Sequence, residues 1–443
     1  MPTPSSGRAG SWARLTAVSA LALTLAAAWP PTPALALALG QVATAEEANA
    51  PSLSLEEALR RAVLSDPSMA PTQARRQASE AAVRQADVRP NPTLGVMVEN
   101  FPAIGGGDLF ERTETTLSVE QRLERGGDRS ARVSLAESEG VLVSATARIR
   151  QLDRLEQVQR AWAEALASDA ELEIARERLD LAERFAAEVG RRVDMARDPL
   201  FAGARAEAEL AQAQIDFDQA GIAVRVARIS LARYWDGAAD FTLGQETFTD
   251  VDGAREIAGN AAQADLDVFL AQRDIALARV AVETARARSD AMVSVGVRHF
   301  ADGNDVGFVV GGSIPLQRYD QNRGAIDQAR AEGLAAEGDL AAARIDRERE
   351  IARLQVQQMA RASEARRIGE ETLPQAERAV VLVRDGFNRG GFTYNDVISA
   401  QTALLQTRAR RVAVLKQFHI DRARLDRLTG AHGDLILALE IQP

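Results

Sequence analysis

Long stretches of the chain repeat apolar residues every three or four positions, which is the spacing of one face of an α-helix. The pattern runs through residues 130–233 with one proline, Pro199, and through residues 326–430 with one proline, Pro374. The many alanines in both tracts allow helices to approach closely but supply little bulk for a broad globular core. The pattern therefore predicts long amphipathic helices packed as coiled coils, with an ordinary helical bundle as the alternative interpretation.

Two short segments change to a period of two, which is the alternation of a β-strand. The first segment has a glycine-rich turn at 104–108, and its apolar positions are Leu94, Val96, Val98, Leu117, Val119 and Leu123. The second has a turn at 302–305, and its apolar positions are Val293, Val295, Val297, Phe308, Val310 and Ile314. Prolines lie before the first segment and after the second, where they end regular structure. We predict β-hairpins at 93–123 and 292–316.

The two halves of the chain resemble each other. Residues 94–101 align with residues that lie 199 positions later, and Arg205–Gln212 aligns with Ser399–Gln406 at a distance of 194 positions. The shorter turn of the second hairpin accounts for the difference. A repeated spacing of this kind indicates repeated architecture. We predict a first repeat at 46–260, a second at 261–432 and a C-terminal tail at 433–443, with each repeat built from a helix, a hairpin, a long helix and a return helix.

The predicted strands are about ten residues long, which is the length of a strand that crosses a bilayer. Alternation of apolar with polar or small residues suits one face on lipid and the other on a water-filled lumen. Four strands cannot close a membrane barrel, because the smallest natural examples have eight and open edges are not tolerated in lipid. Several copies must then pool their strands, and the sequence does not choose between two copies and three. Soluble hairpins that cap a helical bundle are the alternative.

The first 45 residues have the features of a secretory signal peptide. Arg8 and Arg14 precede an apolar run at 15–28, and small-x-small cleavage sites follow at 34–36 and 43–45. We therefore expect residues 1–45 to be removed on export. An N-terminal anchor helix is the alternative, which the prolines after the apolar run disfavour.

Composition excludes several functions. The formal net charge of −10 argues against a nucleic-acid partner, which needs a basic face for the phosphates. The absence of cysteine excludes disulfides, thiolate metal sites, cysteine nucleophiles and a lipidated N-terminal cysteine. The three histidines, His299, His419 and His432, lie far apart, and none has a His or Cys partner at ligand spacing. No phosphate-binding loop or catalytic triad is evident, so we predict no metal site, no cofactor and no enzyme.

Four groups of motifs occur in a fixed order along the chain. They are Leu53–Leu59; Arg89–Leu94 with Glu99–Phe101; Glu114–Thr116 with Gln121 and Glu124–Arg129; and Ser313–Leu316 with Asp320–Gly324. Each motif is weak alone, but their order is specific. With these motifs the mature chain resembles the TolC family of outer-membrane efflux channels, and in particular its CzcC-like branch, which is associated with heavy-metal pumps.

This resemblance implies a mainly α fold with a small β part. Long antiparallel coiled-coil helices would form an α-barrel across the periplasm, and the two hairpins would give four strands to a twelve-stranded β-barrel shared by a homotrimer. The region from Tyr234 to Asn260 would form an irregular belt. Many relatives carry a lipidated cysteine at the mature N-terminus, which this chain lacks. Contact with outer-membrane lipid would then rest on the barrel alone.

The resemblance also implies the function. The chain would be the outer-membrane channel of a tripartite RND-type efflux system, a passive duct for divalent heavy-metal cations. Its partners would be a periplasmic adaptor (membrane fusion protein) and an inner-membrane RND pump. One alternative is a TolC-like duct for drugs or other small organic compounds. Another is a soluble periplasmic coiled-coil adaptor, which predicts β-rich domains that this two-fold repeat lacks.

Two predicted helix-turn-helix tips lie at the far ends of the long helices. The first is centred on Pro199, and the second spans residues 386–397 and resembles the family's tip motif. The tip residues that we expect to contact the adaptor are Arg197, Asp198, Phe201, Arg389, Gly390, Gly391 and Phe392.

The resemblance places the family's aspartate ring, at the constriction of the tunnel, on Asp396. The neighbouring ring position, one helical turn later, is Ser399, so we expect a less acidic gate than in relatives. A ring of carboxylates would attract cations into the bore. Aspartate also suits the N-cap of a helix, and Asp396 could serve in that role instead or as well.

Overall fold

The computed structural model describes residues 52–100, 112–252 and 263–440. The expected signal peptide and the first hairpin turn at 104–108 lie outside the described residues. Within them, no helix combines the length and apolarity needed to cross a membrane.

Helices and two β-hairpins alternate along the chain. The first half contains β1 (Ser52–Leu53), α1 (Leu55–Leu64), α2 (Met69–Ala86), β2 (Thr93–Glu99), β3 (Glu114–Leu123), α3 (Asp128–Asp194), α4 (Leu200–Ala232), a 3₁₀ turn (Arg233–Trp235), β4 (Thr242–Leu243) and α5 (Glu246–Thr249). The second half contains α6 (Gln263–Arg286), β5 (Ala291–Phe300), β6 (Asp305–Ser313), α7 (Arg323–Arg367), α8 (Leu373–Asn388), α9 (Tyr394–Thr429) and α10 (Gly433–Glu440). With 67 residues, α3 is about 100 Å long.

The second long helix is interrupted where the first is not. A single π-helical turn, Ile368–Thr372, separates α7 from α8, and Pro374 is the second residue of α8. Proline has no N–H and its ring clashes with the carbonyl four residues earlier, so the wider turn accommodates it without ending the helix. Gly369 lies in this turn, where a Cβ would come within 3.2 Å of the Arg411 guanidinium on α9.

The two hairpins form one antiparallel sheet in the order β2-β3-β5-β6. Register places Leu94, Val119, Val295 and Val310 in one row across the sheet. The neighbouring row on the same face holds Val96, Leu117, Val297 and Phe308. Side chains on this face are strongly exposed, from 42% for Val297 to 87% for Phe308. The sheet therefore presents a continuous apolar face to its surroundings.

The opposite face of the sheet is mainly small and polar, with Met97, Met292 and Val309 as its apolar members. Its rows contain Gly95, Ser118 and Gly296, followed by Glu120, Ser294 and Gly311. Near one end Arg298 forms ion pairs of 2.8 Å with Glu99 and with Glu114. Gly296 has no space for a side chain, because a Cβ would lie 2.6 Å from the Leu117 carbonyl oxygen.

Two adjacent glycines, Gly126 and Gly127, lie in the connection from β3 to α3. Gly127 has φ of +84°, a left-handed conformation that glycine adopts without strain. At Gly126 a Cβ would lie 2.7 Å from the Ala285 carbonyl oxygen of α6. Nearby, Arg132 pairs with Glu124 at 2.5 Å. The glycines in this motif are therefore explained by a close approach between the start of α3 and the end of α6.

The largest core cluster lies in a belt halfway along the helices. There α1, β4 and α5 pack against α3 and α9, and β1 pairs with β4 in parallel. Phe248 and Phe418 are almost completely buried in this belt. The neighbouring His419 lies with its Nε2 atom 2.9 Å from the Phe248 carbonyl oxygen. Burial lowers the pKa of His419, so its imidazole is a neutral core group at neutral pH.

A buried arginine connects three helices above the belt. Arg427 of α9 is 7% exposed and donates to Asp153 of α3 at 2.7 Å and to Asp265 of α6. Removing one partner from such a cluster leaves an uncompensated buried charge, which is strongly destabilising.

Candidate functional site: the paired helical tips

The two helix-turn-helix ends pack against each other. The turn between α3 and α4 and the turn between α8 and α9 share an apolar cluster of Phe185, Val189, Ala202, Ala206, Phe387 and Val397. The ring of Phe185 lies 5.0 Å from the ring of Tyr394 and 6.0 Å from the ring of Phe387, measured between centroids. This aromatic contact joins the two repeats at the tip.

Both turns have the same hydrogen-bond pattern. In the first, Ala196 has φ of +54°, its N–H donates to Val193, and the next N–H donates to Arg192 at 2.8 Å. In the second, Gly390 has φ of +81°, its N–H donates to Phe387, and the next N–H donates to Gly386 at 2.8 Å. A left-handed residue with these two bonds is a common helix ending. Residues 196 and 390 are 194 positions apart, which is the spacing of the sequence repeat.

Arg192 connects the first turn to the second. Its guanidinium donates to both carboxylate oxygens of Asp198, at 2.7 and 3.0 Å, and its Cζ lies 4.5 Å from the centroid of Phe387. The hydrogen bonds that Arg192 donates to Asp198 raise the pKa of Arg192. Asp198, one of the residues expected to contact the adaptor, also holds Arg192 over an aromatic ring of the other turn.

Arg205 makes a second connection between the turns. Its Cζ lies 5.1 Å from the ring centroid of Tyr394, and its Nη1 donates to Asn395 at 3.0 Å. Glu209 accepts from its Nε at 3.1 Å. Burial and the nearby Glu209 carboxylate raise the pKa of Tyr394 to about 12, so its phenol stays neutral. Neither Arg192 nor Arg205 was singled out from the sequence, where nothing separates them from the other 51 basic side chains.

Asp396 belongs to the first turn of α9. The N-cap residue of this helix is Thr393, and not Asp396. The Asp396 carboxylate accepts from the N–H and the hydroxyl of Thr393, both at 2.7 Å, and the Asp396 N–H faces the Thr393 hydroxyl at 3.4 Å. This reciprocal arrangement is a capping box. The hydrogen bonds from Thr393 lower the pKa of Asp396, so this exposed carboxylate is charged at neutral pH. Ser399 is exposed one turn later.

Exposed apolar side chains surround the turns. Leu200 is 82% and Phe201 is 71% exposed on the first tip. Phe392, on the second tip, lies against Gly386, where a Cβ would come within 2.2 Å of its ring. Arg197 is exposed, whereas Arg389 is paired with Asp385. The tip thus offers apolar and cationic contacts at one surface. In the described parts of the chain, no group of three or more His, Asp or Glu side chains could hold a metal ion.

The long helices, the sheet with two different faces and the paired tips together define an efflux-channel subunit. The profile of the outer membrane efflux protein family matches residues 58–237 and 258–431. The chain belongs to the outer membrane efflux protein family, and its location is the outer membrane.

Individual relatives are consistent with this family. The chain is 29% identical over 385 residues to the cobalt-zinc-cadmium resistance protein CzcC of Cupriavidus metallidurans, covering 85% of this chain and 90% of that protein. It is 26% identical to the nickel-cobalt-cadmium resistance protein NccC of Alcaligenes xylosoxydans xylosoxydans, covering 70% of this chain and 71% of that protein.

Solved structures confirm the TolC-like fold. The outer membrane protein VceC from Vibrio cholerae superposes with a TM-score of 0.66 at 20% identity, over 85% of this chain and 96% of VceC. CusC superposes with a TM-score of 0.70 at 15% identity, over 85% of this chain and 92% of CusC.

Proposed function

We propose that three copies of this chain form the outer-membrane channel of a tripartite efflux system, which carries divalent heavy-metal cations out of the periplasm. The observation that carries the proposal is the four-stranded sheet. It has one exposed apolar face for lipid and one small, polar face for a water-filled lumen.

The edges of the sheet support assembly from several copies. In the described chain β2 pairs only with β3, and β6 pairs only with β5. Backbone groups at such edges have no partner in lipid unless another copy supplies one. Pairing of β6 in one copy with β2 in the next gives twelve strands in a closed trimer.

An apolar stripe on the helices also fits contact between copies. On α4 it consists of Ile215, Ile222, Val226 and Ile229, each about half exposed. The spacing of seven, four and three residues keeps these side chains on one face of the helix. Packing against the next copy would remove this face from water.

The choice of heavy-metal cations rests on the relatives. The names of CzcC and NccC specify resistance to cobalt, zinc, cadmium and nickel. The acidic balance of this chain and the charged Asp396 favour cations over anions in the bore. We expect metal to pass through the channel in transit rather than to be tightly coordinated.

The tips are the surface for a periplasmic adaptor, which would in turn couple the channel to an inner-membrane RND pump. The exposed Leu200, Phe201 and Phe392 supply apolar contact area. Arg192 and Arg205 hold the two turns of one copy together. Adaptor binding that separates the turns would break these contacts and dilate the ring at Asp396 and Ser399.

Deletion of the gene in its host tests the substrate. We expect loss of growth on cobalt, zinc, cadmium or nickel, restored by the intact gene, with unchanged growth on dyes and detergents. Sensitivity to the organic compounds alone would instead support a duct for drugs. Membrane fractionation tests the assembly: a trimer in the outer membrane supports the channel, and a soluble periplasmic monomer supports the adaptor alternative.

A further inference from the structure

The belt contains a cavity of about 460 Å³, lined by side chains of β1, α1, α3, α5 and α9. A volume in this range is typical of sites that bind small molecules. The residues that line the cavity belong neither to the four-stranded sheet nor to the helical tips. A ligand held here would therefore lie apart from the surfaces that we propose for lipid, lumen and adaptor.

One wall of the cavity is apolar. Trp162 and Leu166 lie one turn apart on α3, and both are almost completely buried. Leu53 of β1 and Leu55 at the start of α1 extend this wall. An indole ring with aliphatic neighbours offers a large contact area to another apolar group. The wall therefore fits a large aliphatic or aromatic side chain of a ligand.

A buried amide lines the same cavity without a partner. Gln159 precedes Trp162 by one turn of α3 and is only 6% exposed. Among the described residues, no group forms a hydrogen bond with its side chain. A buried amide normally has its donors and its acceptor satisfied, because an unpaired polar group in the interior costs free energy. Gln159 thus indicates a ligand that can donate to its oxygen and accept from its nitrogen.

Opposite charges lie side by side on the α9 wall of the cavity. Arg422 and Asp426 are four residues apart, so their side chains share one face of the helix. Within the described structure Arg422 forms no ion pair. The Asp426 carboxylate lies 3.6 Å from Nε2 of His432, which is beyond hydrogen-bond distance. Each of these two charges is therefore available to an opposite charge of a ligand.

The other ionisable groups of the cavity already have partners. The Asp250 carboxylate accepts from the Asp252 N–H at 2.9 Å, and Nε2 of His419 lies against the Phe248 carbonyl. His432 and Asp426 are too few to hold a metal ion, and no third acidic or histidine ligand joins them in the part of the chain that the structure describes. The free groups of the cavity therefore suit an organic ligand with one positive and one negative charge.

We propose that this cavity binds a free α-amino acid with a large apolar side chain. The carboxylate of the amino acid pairs with Arg422, its ammonium group pairs with Asp426, and both groups form hydrogen bonds with the Gln159 amide. Its side chain packs on Trp162 and Leu166. A carboxylate without an ammonium group would leave Asp426 unpaired, and an amine without a carboxylate would leave Arg422 unpaired. The bound amino acid connects α9 to α3 within the belt.

Fluorine NMR of the intact chain in lipid nanodiscs tests the site, with 4-fluoro-L-phenylalanine as the probe. Two analogues of the probe each lack one charge: 4-fluorophenylacetate has no ammonium group, and 4-fluorophenethylamine has no carboxylate. Empty nanodiscs correct for partition of each compound into lipid. We expect saturable broadening of the fluorine signal of the amino acid, with an affinity about tenfold or more above that of either analogue, since each analogue loses one charged hydrogen bond.

Substitutions of the two charged residues assign the binding to this cavity. Arg422→Gln should weaken binding of the amino acid by about tenfold and leave binding of 4-fluorophenethylamine unchanged. Asp426→Asn should weaken binding of the amino acid similarly and leave binding of 4-fluorophenylacetate unchanged. Arg349→Gln is the matched control, because Arg349 is exposed on α7 and pairs only with Asp346. Arg422 is exposed, and an unchanged melting temperature of Arg422→Gln checks that this variant is folded.

Three results would overturn the proposal. The first is a lack of saturable binding to the intact chain, which includes the case in which residues before Ser52 already fill the cavity. The second is equal affinity for the amino acid and for 4-fluorophenylacetate, since a zwitterion would then not be recognised. The third is unchanged binding in both Arg422→Gln and Asp426→Asn, which would place the probe elsewhere. All three are read from binding alone, so they leave the proposed channel function untouched.

Discussion

The guanidinium of Arg205 on α4 lies over the ring of Tyr394 at the start of α9, with its Cζ 5.1 Å from the ring centroid. The same group donates to Asn395 at 3.0 Å. These contacts join residues that are 189 and 190 positions apart in the sequence, and they hold the two turns of the tip together. A cation held over an aromatic ring at a partly exposed site contributes about 0.5–1 kcal/mol.

Replacement of this arginine should loosen the tip. We expect Arg205→Gln to raise the single-channel conductance of the trimer in planar bilayers, since the contacts of Tyr394 and Asn395 with the Arg205 guanidinium are lost. Arg176→Gln is the matched control, because Arg176 pairs only along its own helix with Glu173 at an exposed site. Equal conductance of Arg205→Gln and the intact protein would contradict a latch at this position.

Substitution of the left-handed residue should have opposite effects on stability in the two turns. Ala196 has φ of +54°, where alanine is strained, so Ala196→Gly should stabilise the trimer by about 1 kcal/mol. Gly390→Ala should destabilise it by a similar amount, because Gly390 has φ of +81°. The temperature at which the trimer dissociates measures both changes in stability.

Ala341→Gly provides the comparison inside a helix. Position 341 is exposed on α7, and this substitution should lower the stability of the trimer by about 1 kcal/mol, which is opposite in sign to the effect of Ala196→Gly. A decrease in stability for Ala196→Gly would mean that the left-handed turn does not form.

Capping and gating by Asp396 can be separated with two variants. Thr393→Val removes the capping box but leaves the carboxylate, whereas Asp396→Asn removes the charge and retains an acceptor. If Asp396 lines the bore, only Asp396→Asn should reduce cation selectivity, measured as the reversal potential in a salt gradient. If neither variant changes selectivity, Asp396 is a capping residue alone.

The Asp396 carboxylate should make the stability of the trimer depend on pH, and the direction of this dependence follows from the shift in its pKa. Hydrogen bonds from Thr393 lower the pKa of Asp396 in the folded protein below its unfolded value. Its contribution to stability is therefore fully present above the unfolded pKa, about 4, and is lost as the pH falls through the lower folded pKa. The melting temperature of the trimer is measured between pH 3 and pH 6. Toward the acid end it should fall less steeply for Asp396→Asn than for the intact protein.

Gly386 determines the position of an exposed aromatic side chain. A Cβ there would come within 2.2 Å of the Phe392 ring, so Gly386→Ala should displace this ring and weaken binding of the cognate adaptor. Gly203→Ala is the control on the other tip, because its Cβ would meet Val193 at an ordinary 3.6 Å. Surface plasmon resonance with immobilised trimer compares the two variants. Unchanged affinity for Gly386→Ala would remove Phe392 from the adaptor surface.

Local patterns in the sequence determined the secondary structure and the repeat. Apolar spacing of three and four residues predicted the long helices, and alternation predicted both hairpins, because each pattern reports which face of an element is apolar. The π-turn before Pro374 could not be placed this way. The sequence shows a single proline in this tract, but how the helix adapts to it depends on packing against α9.

At the tip, the sequence by itself determined the two turns and their spacing of 194 residues, since glycine, proline and the repeat are local signals. Only the tertiary structure decided which side chains meet across them. Arg192 over Phe387 and Arg205 over Tyr394 require two long helical hairpins to lie in one register, which depends on contacts along their whole length. The order of the four strands was decided in the same way. Pairing of β3 with β5 joins segments about 180 residues apart, and alternation within a strand carries no information about its neighbour.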